Sequence, residues 1–155
     1  VGDVDLADAA TAAATFDRIA TAGGGLDALV NVAGTFRWET VEGGSLDTWD
    51  LLYRVNLRTA VAASKAALPH LITRGGGSIV NVGAGAAAKA GAGMGAYAAS
   101  KAGVARLTEA LAEELVRRGY RLRDRVLRPA LVAVAASGAA DPDTFSTDPS
   151  KPRPN

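Results

Sequence analysis

Two short apolar runs, LDALVNVA at 26–33 and SIVNV at 78–82, each follow a glycine triplet, and nothing else in the chain constrains its fold as strongly. A continuous run of this length, bounded by turn residues, predicts a strand covered on both faces. The segment between the runs predicts a long helix. Ser45 is placed to cap it and Asp47 to occupy its first turn, while Leu52, Val55, Asn56, Thr59, Ala63 and Ala66 or Ala67 recur at spacings of three and four. This helix should end at 69–74. Upstream, Val1–Leu6 is a short extended candidate, and Asp8 opens an alanine-rich helix to about Ala22 with Ala12, Phe16, Ile19 and Ala20 on one face. Downstream, a glycine and alanine loop at 83–95 leads into a helix over 96–118, with Leu107, Ala110, Leu111 and Leu115 along one side. Strands alternating with helices predict an α/β fold, a doubly wound parallel sheet with helices on both faces. Ligands in such sheets bind beyond the carboxyl ends of the strands, here the loops after Leu6, Val32 and Val82.

The 155 residues suit one domain, and 48% hydrophobic with 21% charged residues is a globular composition. A net charge of +1 gives no electrostatic footprint for nucleic acid. No apolar run is long enough to span a membrane and no signal-peptide pattern opens the chain, so no membrane partner and a cytoplasmic location are expected. The absence of cysteine removes disulfides, thiolate metal sites and thiol nucleophiles, and with a single histidine no metal site is expected. That histidine, His70, reads as a cation near a helix C-terminus. Phe36, Trp38 and Trp49 read as a cover over the core.

Tyr97 and Lys101 lie four apart at the start of the last long helix, which puts a phenol and an ammonium on one face. A nearby ammonium favours phenolate and would bring the tyrosine toward a pKa useful for proton transfer. By itself the spacing is also that of an amphipathic helix with a solvated lysine.

Four segments taken together carry more. Tyr97-Ala98-Ala99-Ser100-Lys101, Asn31-Val32-Ala33-Gly34, Asn56 on the following helix, and Asp5-Leu6 occur in the order and at the spacing of the short-chain dehydrogenase/reductase family, which the chain resembles over residues 5–103. The resemblance implies a Rossmann-like sheet, NAD or NADP as cofactor, and hydride transfer between nicotinamide and a carbonyl, alcohol or pterin-like small-molecule substrate. It implies that Tyr97 moves the proton, that Lys101 lowers its pKa and holds the nicotinamide ribose, and that Asn56 positions a water. Asp5 and Leu6 would contact adenine. Asn31 would tie neighbouring strands, Ala33 and Gly34 would let the backbone approach the cofactor, and Pro129, after the sixth strand, would contact the cofactor. Family members pair through two long helices, so a homodimer or homotetramer through 45–73 and 96–118 is implied.

Departures from the family pattern are equally specific. Where the family carries a substrate-binding serine, this chain reads Gly83-Ala84-Gly85, and this loop resembles that of the dihydropteridine reductase-like branch. Val134 stands where a threonine is usual, and Arg121–Leu127 carries charges unsuited to a buried strand. The glycine-rich phosphate turn expected ahead of Asp5 is not in the sequence, so residues 1–128 read as a partial Rossmann-type domain, lacking the first βαβ unit and the C-terminal strand. Residues 129–155, rich in proline and polar residues toward the end, read as an irregular, flexible tail. The alternative function is that of a truncated relative serving as a structural or binding subunit.

Overall fold

The computed structural model describes residues 3–117, 121–122, 125–126 and 128–134. Helix α1 spans Ala9–Gly23, capped by the Asp8 side chain, which accepts the Thr11 N–H at 2.7 Å; that bond holds the carboxyl below the usual range. Strand β1 is Ala28–Asn31. Helix α2, Leu46–Leu52, starts at Ser45, whose hydroxyl accepts the Asp47 N–H, and continues through a π-helical segment, Tyr53–Arg58, into α3, Thr59–Thr73. Strand β2 is Ser78–Ala84, followed by a single 3₁₀ turn at Gly85–Ala87 and by α4, Gly95–Arg117. Short strands β3 (Arg121–Leu122) and β4 (Arg125–Val126) pair antiparallel, and β5 is Arg128–Val134.

The main sheet has the order β1-β2-β5, all parallel, with Ala28 opposite Ser78 and Ser78 opposite Arg128. The alternation of strands and helices is thus as expected. Val1–Leu6 is not a strand within its described part: Asp3 has φ 55°, and Leu6 and Ala7 form a turn. Nor does order end at residue 128. Arg128 and the apolar run after it find seven partners along β2, whereas the charged segment before it contributes only β3 and β4. Residues 135–155 of the expected tail lie outside the described residues.

Among the described residues one face of the sheet is covered and the other is open. Leu29 and Ile79 are buried at 8% and 0% exposure, but Val30 and Val32 are 56% and 64% exposed. The helices supply the reason. On the Leu29 face, Asn31 Nδ2 donates to Ser64 Oγ of α3 at 3.3 Å and Asn81 Nδ2 donates to Thr108 Oγ1 of α4 at 2.9 Å, so both helices lie on that side. The face bearing Val30 is open among the described residues. The core sits between sheet and helices, where Phe16 of α1, Leu29, Ala63, Ala67 and Leu71 of α3, Ile79, and Leu115 of α4 form one cluster.

A polar seam crosses this core. Asn31 Nδ2 also donates to Asn81 Oδ1 at 2.8 Å, and Thr108 Oγ1 donates to the Val104 carbonyl at 2.8 Å. No buried side-chain nitrogen or oxygen among the described residues lacks a partner. The seam sets the register between both helices and both strands, and so fixes where the first turn of α4 meets the end of β2.

Candidate active site at the carboxyl ends of the strands

Parallel strands end on one edge, and two cavities open there. The larger, about 410 Å³, lies between the segment after β1 and the start of α4, with Gly34, Val82, Tyr97 and Lys101 in its wall. The smaller, about 270 Å³, is lined by Leu6, Val30, Asn31 and Ala33 among others. Val32 lines both.

Tyr97 occupies the first turn of α4, and Phe36 meets its ring edge-on, with centroids 4.9 Å apart and planes at 88°. Lys101, one turn later and only 6% exposed, donates from Nζ to the Val82 carbonyl at 2.9 Å. Burial pushes the Tyr97 phenol above its ordinary value of 10.0 and lowers the Lys101 ammonium. The lowering of Tyr97 by Lys101 expected from the spacing is therefore not found. Nζ is tied to a strand carbonyl, and both groups have lost hydration.

Asn56 is 1% exposed and spends its whole amide on neighbours. Its Oδ1 accepts the Thr35 N–H at 2.7 Å, while Nδ2 donates to the Thr35 carbonyl at 3.0 Å and to Ser100 Oγ at 2.9 Å. Ser100 Oγ donates in turn to the Tyr97 carbonyl at 2.7 Å. Asn56 thus clamps the loop after β1 onto the helix that carries Tyr97 and Lys101. The π-helical segment presents it there. Gly34 permits the close approach: a Cβ on it would lie 3.2 Å from Asn56 Oδ1 and 3.4 Å from Lys101 Nζ. Asn56→Ala should destabilise the fold by about 1–3 kcal/mol, because it strands the Thr35 peptide groups and Ser100. Faster hydrogen exchange at the Thr35 amide, measured by NMR, is the local sign; unchanged protection would show that the clamp is unimportant.

The other expected residues divide. Leu6 and Ala33 line the second cavity and Asn31 belongs to the polar seam beside it. The Asp5 carboxylate is engaged elsewhere, accepting the Ala7 N–H at 2.9 Å and pairing with Arg54. Pro129 is the second residue of β5, opposite Ile79 and at the far end of the sheet from Ala84 and Val134, rather than in a loop after the strand. His70 pairs through Nε2 with Asp17 of α1 at 2.9 Å, away from both cavities.

Sequence reasoning missed three contributors: Ser100, whose role depends on a partner 44 positions away, the Val82 carbonyl, which no side chain announces, and the aromatic wall. Phe36, Trp38 and Trp49 are 42%, 56% and 38% exposed, and Phe36 lines the larger cavity. Trp38 lies against Gly93, which has φ +74° and where a Cβ would come within 2.2 Å of the indole. The signal was the pair Phe36 and Trp38 in the loop after a strand, where binding residues concentrate.

The short chain dehydrogenase family model matches residues 2–143. D-threitol dehydrogenase of Mycolicibacterium smegmatis is 39% identical over 118 residues, which make up 76% of this chain and 45% of that protein. Among solved structures, a gluconate 5-dehydrogenase from Burkholderia cenocepacia, in complex with NADP and tartrate, is 30% identical with a TM-score of 0.77, covering 84% of this chain and 49% of that one. Thermoplasma acidophilum aldohexose dehydrogenase is also 30% identical, with a TM-score of 0.76 over 84% of this chain and 48% of that one. The chain spans about half the length of the relatives it matches. With a parallel sheet, a tyrosine and a buried lysine at its carboxyl edge, and a family match over nearly its whole length, this chain belongs to the short-chain dehydrogenase family.

Proposed function

We propose that the chain forms the proton-transfer site and part of the nicotinamide site of an NAD(P)-dependent oxidoreductase, with Tyr97 as the proton donor to a substrate oxygen. The observation that carries this reading is the cavity in which Tyr97 and Lys101 share a wall with Gly34, at the carboxyl edge of the sheet. A dinucleotide fits the residues present. The two cavities meet at Val32, and the backbone at Gly34 leaves no room for a Cβ without crowding Asn56 and Lys101. Lys101 Nζ would hold ribose hydroxyls, while Leu6 and Ala33 would flank the adenosine. When bound, the nicotinamide supplies or accepts the hydride.

The phenol of Tyr97 is protonated throughout the neutral range, since burial moves its ionisation upward. That state suits carbonyl reduction: the Tyr97 O–H bond breaks and its proton goes to the substrate oxygen as the carbonyl carbon gains hydride. Asn56 acts through position, holding the Thr35 loop against α4. The loop Gly83-Ala84-Gly85 offers no hydroxyl beside Tyr97, which favours acceptors that need less help at oxygen, a pterin-like ring among them. Exposed Leu51 and Tyr53 on the helix over 45–73 favour pairing with a second copy through that helix and α4, as a homodimer or homotetramer.

Titration with NADH and NADPH, followed by nicotinamide fluorescence, tests the reading. Saturable micromolar binding that Lys101→Ala weakens by at least about tenfold supports it. No binding of either nucleotide would sink it.

The titration of Tyr97 gives a separate check. Of three tyrosines, Tyr97 should ionise above the ordinary phenol range when absorbance at 295 nm is followed to alkaline pH, and Tyr97→Phe should remove the late component. The folded phenol ionises later than the unfolded one, so its contribution to stability is whole below pH 10.0 and fades as pH rises through the folded value. Lys101 runs the other way, since its lowered pKa makes the buried ammonium a cost at neutral pH that is relieved as the proton leaves. A late component that survives in Tyr97→Phe would contradict the assignment.

A further inference from the structure

We infer that the cavity beside Tyr97 takes a flat, conjugated ring ketone with an apolar body rather than a polyhydroxylated substrate. The inference rests on the proposed site but concerns which ligand its wall accepts. Phe36, Val82, Ala84, Ala86 and Met94 make that wall apolar. Among the described lining residues only Thr35, Tyr97 and Lys101 carry polar side chains, and the last two serve the proton and the ribose. A polyol seated against this wall would turn hydroxyls toward hydrocarbon. Each hydroxyl turned to hydrocarbon loses its hydrogen bonds to water without replacement, and a sugar alcohol or sugar acid carries several.

The wall is built to stay in place. Upstream of Phe36, Thr35 is held through both its N–H and its carbonyl by Asn56. Downstream, the Glu39 N–H donates to the Gly93 carbonyl at 2.9 Å, and the Glu39 carboxylate accepts the Ser45 N–H at 2.9 Å and the Thr48 hydroxyl at 2.8 Å. Trp38 lies on Gly93 between these anchors. Phe36 is therefore fixed perpendicular to the Tyr97 ring, and a flat ring with its oxygen toward the Tyr97 hydroxyl would lie between Phe36 and Met94. Methionine sulfur and methyl groups pack well on aromatic faces. A conjugated ketone also suits the loop at 83–85, because delocalisation within the ligand replaces part of the help a hydroxyl would give.

Met94 is the sequence's one methionine, so a ¹³C-methyl label places a reporter in this wall. In NMR titrations of the full chain, with and without NADPH, 1-tetralone should move the resonance that Met94→Leu removes, saturably and with sub-millimolar affinity. Phe36→Ala should weaken that binding at least about fivefold, and Phe36→Leu, which keeps the wall apolar, should weaken it less. D-threitol and D-gluconate should leave the resonance in place. Saturation by either polyol at or below the concentration needed for tetralone overturns the inference, as does tetralone failing to move the resonance. The outcome is separable from that of the nucleotide titration. Tetralone seated at Met94 without nucleotide binding keeps the ligand class and removes the oxidoreductase, whereas nucleotide binding with threitol seated at Met94 does the opposite.

Discussion

Tyr97→Phe is expected to lower turnover by about 10²–10⁴-fold, the range that a positioned proton donor contributes, while nucleotide binding changes by no more than about twofold. The two readouts separate because the phenol and the ammonium do different work. Lys101 is buried against β2 and bonded to the Val82 carbonyl, an arrangement that does not pass through the Tyr97 hydroxyl. Removing one oxygen from a ring still braced by Phe36 leaves the wall standing. In the wild-type chain the rate of carbonyl reduction should be level across neutral pH and fall only where Tyr97 ionises, above pH 10.0. Turnover surviving in Tyr97→Phe, or a rate that falls through neutral pH, would take Tyr97 out of the proton step.

Ile79→Ala is expected to cost about 2–5 kcal/mol in a urea or thermal unfolding measurement, a large part of the 5–15 kcal/mol that separates a typical domain from its unfolded state. Ile79 is fully buried on the central strand, within the cluster that joins α1, β1, α3 and α4. Truncation leaves a void facing three helices at once, and close-packed interiors relax only partly around such a loss. The same change at Val30 or Val32, on the open face, should cost far less. Equal costs at Ile79 and Val30 would mean that the two faces of the sheet are not distinguished as described.

The same contrast shows why the sequence was legible in some places and not in others. Ser45 and Asp8 were identified as caps because an N-cap needs one short polar side chain at the start of a helical pattern, a local requirement. The runs at 26–33 and 78–82 predict strands because an apolar run between a glycine triplet and a loop has few other uses, and strands form at 28–31 and 78–84. Which faces were covered was not legible. Apolar residues on both sides of a strand state a capacity for burial, and the helices that bury one of them are placed by Asn31, Ser64, Asn81 and Thr108, whose partners lie 27 to 50 positions apart. β5 is illegible for a related reason, since the charges at 121–127 are unsuited to a buried strand and the apolar residues that pair with β2 begin only after them.

At the site, residue types and spacing placed Tyr97 and Lys101 on one helix face, and put Asn56 and Gly34 in the correct order along the chain. All of that follows from local geometry, the four-residue repeat of a helix and the small size of glycine. Tertiary structure decided the rest: that Lys101 bonds a strand carbonyl, that burial raises the Tyr97 phenol, that Asn56 is consumed in clamping Thr35 to Ser100, and that Phe36 and Met94 line one cavity. Hydration and wall composition depend on segments brought together from distant parts of the chain. A pKa responds to what surrounds a group in space, and a short motif carries no record of that.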